Sequence, residues 1–322
     1  MIEVRNLTKN YGNVKAVQNV SFSVGKDQVL GFLGPNGAGK TTIMKILTGY
    51  HFPSGGTALV DGISVDENPV EVKKRIGYLP ENIPLYGDMT VDEYLAFIAE
   101  ARLIPSGERA QAINACLEAC GLGGYRSRKI DTLSKGYRQR AGLAQAILHD
   151  PAILILDEPT NGLDPNQIIE IRSLIRDLGR RKTVILSSHI LQEIEAICSQ
   201  VLIINEGKIA AQGTAEEIAG TMKGGETWEL ALKGTDIESI ITRLQRLGDG
   251  IASVSAAAQD DGTVSLSFFI PELDAEDIPS GERIFDWAVS SGLKILGMSR
   301  KKLSLEDIFV KLTSEEAKGG KQ

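Results

Sequence analysis

Residues 34–41 read Gly34-Pro35-Asn36-Gly37-Ala38-Gly39-Lys40-Thr41, a complete G-x-x-x-x-G-K-[ST] pattern. The apolar run Val29–Leu33 leads into it, as a buried strand does ahead of a phosphate-binding loop. Glycines let the backbone curl so that successive amide N–H groups point inward, and the helix expected to start near Lys40 turns its positive dipole end to the same place. The pattern therefore predicts a site for a nucleoside triphosphate.

The residue types of this loop also predict individual contacts. Lys40 is expected to reach the β- and γ-phosphates, and Thr41 is expected to hold Mg²⁺ through its hydroxyl. A glycine-rich turn with a solvated lysine is the alternative, and the strand that precedes the loop argues against it. The expected nucleotide contacts of this segment are Gly34, Asn36, Gly37, Ala38, Gly39, Lys40, Thr41 and Thr42.

The composition restricts the classes of function. The 322 residues include 42 acidic and 35 basic side chains, which gives a formal net charge of −7. This balance repels a nucleic-acid backbone over most of the surface, so we expect no nucleic-acid partner. No apolar run approaches the roughly 20 residues that cross a bilayer, and the N-terminus lacks a signal-peptide pattern, so we expect a cytoplasmic protein. Three cysteines form neither a disulfide framework nor a metal set, and we expect free thiols.

The residues on both sides of the phosphate loop predict a core of strands. Alternating apolar residues in segments 2–7 and 16–24, separated by the turn residues 10–13, predict an antiparallel lobe. After the loop come short apolar segments of the kind that is buried in a parallel sheet. These segments are residues 76–79, 153–156, 184–186 and 201–204.

A helical insertion is predicted between the first two of these parallel segments. Its first helix spans residues 90–103 and starts with Thr90, with Glu93 three positions on in the form of a capping box. A second helix over residues 106–120 has Gly121 as its stop, and a third covers about residues 136–148. The order predicts an α/β core with a helical subdomain at about residues 84–150.

The last hundred residues predict a separate, smaller α+β domain. Lys223-Gly224-Gly225 is typical of a linker. The βαββαβ order beyond it is that of the split ferredoxin-like plan. Its predicted elements are residues 227–232, 237–247, 251–257, 263–270, 282–290 and 293–300. A closing helix at residues 303–312 and a frayed tail at 313–322 complete the predicted domains, which are 1–218 and 226–312.

A pair of carboxylates follows one of the predicted buried strands. Residues 153–156 are apolar and end in Asp157-Glu158. Ligands collect at the carboxyl ends of strands in α/β sheets, so Asp157 can order Mg²⁺ beside Thr41. Glu158 is placed to accept a proton from an attacking water. A strand that ends in two carboxylates is common by itself, and it is the combination with the phosphate loop that predicts catalysis.

Three further segments complete a recognisable series. They are Leu133-Ser134-Lys135-Gly136-Tyr137-Arg138-Gln139-Arg140, Asn161-Gly162-Leu163-Asp164-Pro165 and Ser187-Ser188-His189. In order and spacing, the series over residues 1–218 resembles the ATP-binding subunits of ABC transporters, which are P-loop ATPases. The resemblance implies that residues 133–137 are the signature loop, that residues 162–164 are the D-loop, that His189 is the switch histidine and that Tyr11 stacks on adenine.

Physical reasons and simpler alternatives accompany each of these roles. Ser134 and Gly136 lie at a predicted helix start, where a hydroxyl, backbone amides and a dipole can face a phosphate, although an ordinary serine N-cap has the same pattern. His189 can hydrogen-bond a γ-phosphate, but alone it would be a surface or core imidazole. A single tyrosine in a turn, such as Tyr11, more often packs against the protein than stacks on a ligand. The remaining histidines, His51 and His149, are expected to be structural.

Three positions depart from the family pattern. Lys135 replaces a glycine and Tyr137 a glutamine of the usual signature, which puts a ribose contact through Tyr137 in doubt. Glu81 replaces the glutamine of the Q-loop. Its carboxylate can still reach Mg²⁺ or the water that attacks, so it is expected to be both a catalytic and a metal residue, but it adds a negative charge beside a triphosphate.

These departures, together with the ending at residues 303–312, resemble the ABC-2 type exporter branch. Within that branch, Leu79-Pro80-Glu81-Asn82 and the loop at residues 133–137 are similar to ATPases associated with gliding motility. The resemblance implies a head-to-tail homodimer, or a pair with a related subunit, in which Lys40 and Thr41 of one copy and Ser134 of the other enclose ATP and Mg²⁺.

The resemblance also implies an integral-membrane permease as partner, with contacts near residues 81–87, and hence a place on the inner face of the cell membrane. Two other classes remain open. A soluble ABC ATPase that acts on ribosomes or DNA usually carries two ATPase halves or a long coiled-coil insertion, neither of which the sequence has. A P-loop GTPase or kinase is disfavoured because no Asn-Lys-x-Asp motif occurs. The C-terminal domain is expected to serve packing or dimer support, with a regulatory ligand or a permease contact as the alternative.

Overall fold

The computed structural model of the chain describes residues 1–221, 226–233, 237–244, 247, 251–258, 262–270, 280–301 and 309. The chain divides into two compact units, residues 1–215 and 216–311, which are described separately below. The predicted linker at 223–225, the tail at 313–322 and all of the predicted closing helix except Phe309 lie outside the described residues.

The core of the first unit is a six-stranded sheet that carries the phosphate loop. Its strands are β3 (Val29–Leu33), β6 (Ile76–Leu79), β7 (Ile153–Asp157), β8 (Thr183–Ser188), β9 (Gln200–Asn205) and β10 (Lys208–Gly213). They lie in the order β10-β9-β3-β8-β7-β6, with parallel pairing throughout except between β10 and β9. Every residue of β3, β7 and β8 is buried, which explains their unbroken apolar runs. The predicted α/β core with a parallel sheet is confirmed.

An antiparallel lobe packs against this sheet. It contains β1 (Ile2–Tyr11), β2 (Val14–Val24), β4 (Gly55–Val60) and β5 (Ile63–Ser64), in the order β2-β1-β4-β5. Its apolar side chains share one core with those of β3, β7, β8 and β9. The predicted turn at residues 10–13 is too long, because Asn10 and Tyr11 still pair with Lys15 and Val14. The chain reverses over only two residues, where Gly12 adopts a φ of +59°.

The described first unit contains seven helices, and an eighth, α8, starts at its last residue and continues into the second unit. They are α1 (Lys40–Leu47), α2 (Pro69–Arg75), α3 (Val91–Ala101), α4 (Ser106–Ala119), α5 (Lys135–Ile147), α6 (Pro165–Gly179), α7 (Leu191–Ile197) and α8 (Ala215–Thr221). The capping box of α3 is present, because Thr90 Oγ1 accepts from the Glu93 N–H and Glu93 Oε2 accepts from the Thr90 N–H. Helices α3 to α5 form the insertion that the sequence predicts between β6 and β7.

The second unit contains a four-stranded antiparallel sheet and two helices. Its elements are β11 (Glu226–Lys233), α9 (Ile237–Leu244), β12 (Ala252–Ala258), β13 (Thr263–Ile270), α10 (Ser280–Ser290) and β14 (Lys294–Lys301). The strands lie in the order β12-β13-β11-β14. Alternate residues of the strands, such as Leu230, Leu266 and Phe268, share a core with Ile240 of α9 and Trp287 of α10. Both helices therefore bury their apolar sides with the same face of the sheet.

In the part of the chain that the structure describes, no helix has both the length and the apolar character that a bilayer crossing requires. The three cysteines are free thiols. Burial raises the pKa of Cys116 to about 12 and raises that of Cys120 and Cys198 further. Burial thus disfavours the thiolate form of all three cysteines.

His149 follows α5 and is held neutral by its surroundings. Its Nε2 lies 3.2 Å from the carbonyl oxygen of Ile76, so Nε2 carries the proton that is donated. Its buried Nδ1 has no hydrogen-bond partner within the described ranges, so a second proton there would find no acceptor among them. Burial, assisted by the charge of Arg102, lowers the pKa of His149 to about 4. The structural role expected for His149 therefore predicts that the free energy of unfolding depends on pH.

We predict that His149 makes the stability of the protein depend on pH. Below its ordinary pKa of about 6.5 the unfolded chain takes up a proton that the folded chain excludes, so the free energy of unfolding falls as the pH drops toward 4. At pH 5 the loss amounts to at most about 2 kcal/mol. Urea unfolding at pH 7.5 and pH 5 should show a smaller difference for His149→Gln, which keeps a donor for Ile76 and cannot titrate. An equal pH dependence in both proteins would contradict this prediction.

Candidate functional site

The phosphate loop lies between β3 and α1 and is shaped by glycines. Gly37 and Gly39 have φ angles of +83° and +108°, which side chains strongly disfavour. A Cβ at Gly39 would approach the Ala16 carbonyl oxygen to 2.6 Å, so only glycine lets the loop pass this closely beside β2. Helix α1 then starts at Lys40, as the sequence predicts, with its N-terminal amides facing the loop.

Lys40 is buried beneath this loop. Its Nζ donates to the carbonyl oxygens of Gly34, at 2.7 Å, and Pro35, at 3.3 Å. The same ammonium lies 3.6 Å from Glu158 Oε1, and both side chains are almost fully buried. A cation and an anion so close in a buried place stabilise each other's charged forms. Lys40 of the loop and Glu158, which directly follows β7, therefore belong to one site.

Asp157 ends β7 and is completely buried. Its Oδ1 accepts hydrogen bonds from Ser187 Oγ at 2.6 Å and from Thr41 Oγ1 at 3.2 Å. Its Oδ2 is also buried and has no hydrogen-bond partner among the described residues. Burial raises the pKa of Asp157, although the bonds from Ser187 and Thr41 act in the opposite direction. One carboxylate oxygen thus remains available to a ligand of positive charge.

Glu158 continues from Asp157 in a left-handed backbone conformation, with φ of +48°. This conformation is uncommon for a residue other than glycine and turns the side chain away from the sheet. The Glu158 N–H donates to Ser187 Oγ at 2.9 Å, and Oε2 lies 2.9 Å from Nδ1 of His189, whose side chain remains partly exposed. The sheet thereby brings Glu158 and His189 into direct contact.

An open cavity of about 430 Å³ collects most of the predicted site residues. Glu81 faces this cavity, and its Oε1 accepts a hydrogen bond from Asn161 Nδ2 at 3.4 Å. The cavity is lined by Ala16, Pro35, Asn36, Gly37, Ala38, Gly39, Lys40, Thr41, Thr42, Glu81, Glu158, Asn161 and His189. Acidic groups, a buried ammonium and the amides of the loop are therefore concentrated around one space.

Tyr11, Gly34, Ser134, Gly136 and Asp157 do not line this cavity, and Asp157 lines a neighbouring one that also contains Thr41 and Glu81. Tyr11 ends β1 with its ring 5.7 Å from that of His51, in an edge-on contact, and the Lys9 ammonium lies over it at 5.1 Å. Ser134 is the exposed N-cap of α5, and its hydroxyl makes no capping hydrogen bond. Gly136 is buried, and the side chain of Gln167 occupies the space that a Cβ at this position would need. The signature residues thus form a second surface, separate from the cavity.

The two departures in the signature loop have their own neighbours. The Lys135 ammonium lies where a side chain at Gly162 would project, and glycine at that position also permits its φ of +69°. Tyr137 stacks on Tyr125 with ring centroids 3.8 Å apart, and the Arg140 guanidinium lies 5.8 Å from its ring. The ring of Tyr137 is therefore occupied by contacts within its own subunit.

Two polar residues of the site carried no predicted role. Ser187 bridges Asp157 Oδ1 and the backbone of Glu158, and Asn161 reaches Glu81. Both occur in segments that were singled out for other residues. The available signal was a hydroxyl directly after the strand predicted at residues 184–186. In the structure Ser187 is the penultimate residue of β8 and pairs with Asp157, so its hydroxyl can reach that carboxylate.

Comparisons with known proteins agree with this geometry. Residues 17–161 match the family model described as ABC transporter. The bacitracin transport ATP-binding protein BcrA of Bacillus licheniformis is 33% identical, over 97% of this chain and 97% of its own length. The linearmycin resistance ATP-binding protein LnrL of Bacillus subtilis is 30% identical, over 97% of this chain and 98% of its own length.

A solved structure has the same fold over the first unit's length of chain. The ATP-binding subunit of an ABC transporter superposes with a TM-score of 0.63 at 28% identity, covering 69% of this chain and 92% of that one. Whole-length relatives at this identity, the family model and the assembled phosphate loop lead to one conclusion. The chain belongs to the family of ABC transporter ATP-binding proteins, and it is an enzyme that binds and hydrolyses ATP.

Proposed function

We propose that this chain powers an ABC-2 type membrane exporter by hydrolysing ATP in a head-to-tail dimer. The observation that carries the proposal is the cavity in which the phosphate loop, Glu158 and His189 meet. Ser134, the serine of the signature loop, lies outside this cavity, and its hydroxyl makes no capping hydrogen bond. A site divided in this way is completed by the signature loop of a second copy, and two copies then form two such sites.

The residues around Asp157 fit Mg²⁺. The buried Oδ2 of Asp157 lacks a partner, and Thr41 supplies a hydroxyl beside it. No group of three or more His, Cys, Asp or Glu side chains suited to a metal occurs among the described residues, so phosphate oxygens and waters would supply the other ligands, with Glu81 at the edge of the cavity. Bound there, Mg²⁺ neutralises charge on the β- and γ-phosphates.

The remaining side chains divide the work of hydrolysis. Lys40 balances the charge of the triphosphate, and the amides of residues 34–41 hold it in place. Glu158 accepts a proton from the attacking water. His189, with both ring nitrogens protonated, donates through Nδ1 to Glu158 Oε2, which orients that carboxylate, and through Nε2 toward the γ-phosphate. Because the γ-phosphate attracts both subunits, its loss removes the contact that holds the dimer closed.

Exposed aromatic side chains near the Glu81 segment support a protein partner on that side. Tyr86 is about half exposed, and its ring contacts Phe97 of α3 edge-on at 5.4 Å. Tyr50, which follows α1, is also exposed and lines a cavity together with Glu81 and Pro84. Aromatic residues are enriched in the buried centres of interfaces, so we assign Tyr50, Tyr86 and Phe97 to the cytoplasmic helices of a permease. This places the ATPase on the inner face of the cell membrane.

The direction of transport rests on the relatives. One is named for bacitracin transport and another for linearmycin resistance, and both align over nearly the whole chain. We therefore favour export. The narrower resemblance to ATPases of gliding motility stays a prediction that rests on the segments at residues 79–82 and 133–137.

We predict that Glu81 makes ATP binding depend more strongly on Mg²⁺. At low Mg²⁺ its carboxylate repels the triphosphate, so Glu81→Gln should bind ATP several-fold more tightly than the wild type there, and the difference should shrink as Mg²⁺ saturates. Titration calorimetry over a range of Mg²⁺ concentrations tests this. Equal affinities at every concentration would contradict the assigned place of Glu81 beside the phosphates.

The proposed function is tested by trapping the closed dimer. Glu158→Gln removes the base but leaves ATP binding intact, so the variant should pair under Mg-ATP, remain monomeric with ADP and release phosphate at least a hundredfold more slowly than the wild type. Light scattering after size-exclusion chromatography measures the pairing. A monomer under Mg-ATP would contradict the proposal.

The same variant serves to identify the partner. A pull-down from detergent-solubilised membranes should recover an integral-membrane protein, and Tyr86→Ala with Phe97→Ala should lose it. Phe285→Ala, which removes an equally exposed aromatic ring of the second unit, is the matched control and should retain the partner. Recovery of ribosomes instead of a membrane protein would overturn the exporter assignment.

A further inference from the structure

Glu193 is a buried carboxylate to which the function described above assigns no role. It lies on α7 and is only 2% exposed. Its Oε2 accepts two short hydrogen bonds, from Thr160 Oγ1 at 2.6 Å and from Ser188 Oγ at 2.7 Å. Thr160 and Ser188 are themselves buried. One carboxylate oxygen therefore joins two hydroxyls that are distant in sequence.

These two hydroxyls belong to the segments that carry the reacting groups. Thr160 follows Glu158 by two residues, and Ser188 directly precedes His189. On the other side of the same strand ends, Ser187 bonds to Asp157 Oδ1 and to the Glu158 N–H. The ends of β7 and β8 are thus connected twice, by Ser187 and by Glu193. Glu158 and His189, which are in contact at 2.9 Å, are each next to residues that make these connections.

The charges around Glu193 argue against stability as the only reason for its burial. Its nearest cation is Arg172 of α6, whose Nη2 lies 3.7 Å from Oε1, too far for a hydrogen bond. Both Glu193 Oε1 and Arg172 Nε are buried and find no hydrogen-bond partner in the part of the chain that the structure describes. Such an incompletely satisfied ion pair is often no more stable than apolar packing. What the carboxylate does provide is a fixed direction for two hydroxyls.

We infer that Glu193 is a positioning residue for ATP hydrolysis. Through Thr160 and Ser188 it fixes the segment after Glu158 and the segment before His189, and so sets the distance and orientation of the pair that handles the attacking water and the γ-phosphate. The inference rests on the proposed roles of Glu158 and His189. Glu193 has no contact with the phosphate loop among its hydrogen bonds, so it acts on the chemical step and not on ATP binding.

Steady-state kinetics of the full chain test this role. Thr160→Val is nearly isosteric and removes one bond to Glu193, and Ser188→Ala removes the other. Each should lower kcat roughly tenfold, since displacements of about 1 Å at a reacting centre cost up to about a hundredfold. KM for ATP should change by less than about twofold. Thr160→Ser keeps the hydroxyl and should retain the wild-type kcat.

A matched control separates positioning from general loss of stability. Thr183 is a second buried threonine, at the start of β8, and its hydroxyl accepts from the Asp27 N–H and donates to the Gly25 carbonyl oxygen, away from the cavity. Thr183→Val should lower the melting temperature as much as Thr160→Val and leave kcat unchanged. An equal fall of kcat in both variants would overturn the inference, because the effect would then be one of stability.

Non-additivity tests whether Glu193 acts through these two hydroxyls. Glu193→Ala should lower kcat as much as the Thr160→Val/Ser188→Ala double variant, and adding it to the double variant should change kcat by less than about twofold. Wild-type kcat in Thr160→Val, Ser188→Ala and Glu193→Ala would overturn the inference. So would a triple variant whose loss of kcat is the product of the losses in the double variant and in Glu193→Ala. Glu158→Gln, measured alongside, distinguishes the two levels: if it retained full activity, the proposed roles of Glu158 and His189 would fail as well.

Discussion

Parallel pairing of β3, β7 and β8 is the constraint on which the site depends. Leu33, the last residue of β3, pairs with Ser188, and Asp157, the last residue of β7, pairs with Ser187. The three strands therefore end at the same level, and the groups that follow them emerge at one edge. The phosphate loop, the two carboxylates and His189 meet there because of this register and not because of any local sequence preference.

The parts of the fold that were predictable are those specified locally. The phosphate loop follows from glycines at positions with positive φ, the parallel sheet from unbroken apolar runs, and the start of α3 from the Thr90 and Glu93 pair. The end of β1 was harder, because Asn10 and Tyr11 favour turns but pair with β2. The roles of Ser187 and Glu193 depend on contacts that only the folded chain makes. Ser187 reaches Asp157 through the pairing of β7 with β8, and Glu193 of α7 reaches Thr160, which is 33 residues away in sequence.

The departures from the usual ABC motifs have structural counterparts. Tyr137 is engaged by Tyr125, and Lys135 occupies the space left by Gly162, so both substitutions connect the signature loop to neighbours in its own subunit. Gly136 remains free of a side chain because Gln167 of α6 fills that space. The hydroxyl of Ser134 makes no hydrogen bond to the N-terminus of α5. These neighbours hold the loop at residues 133–137, while the side chain of Ser134 stays exposed.

The central claim is that the buried, unpartnered oxygen of Asp157 makes nucleotide binding depend on Mg²⁺. Its most direct measurement is the Kd for ATP with and without Mg²⁺, determined calorimetrically for Glu158→Gln and for Asp157→Asn in that background. The account predicts that Mg²⁺ tightens binding in the first protein and has little effect in the second, since an amide N–H₂ replaces the oxygen with a donor. An equal gain from Mg²⁺ in both proteins would contradict it.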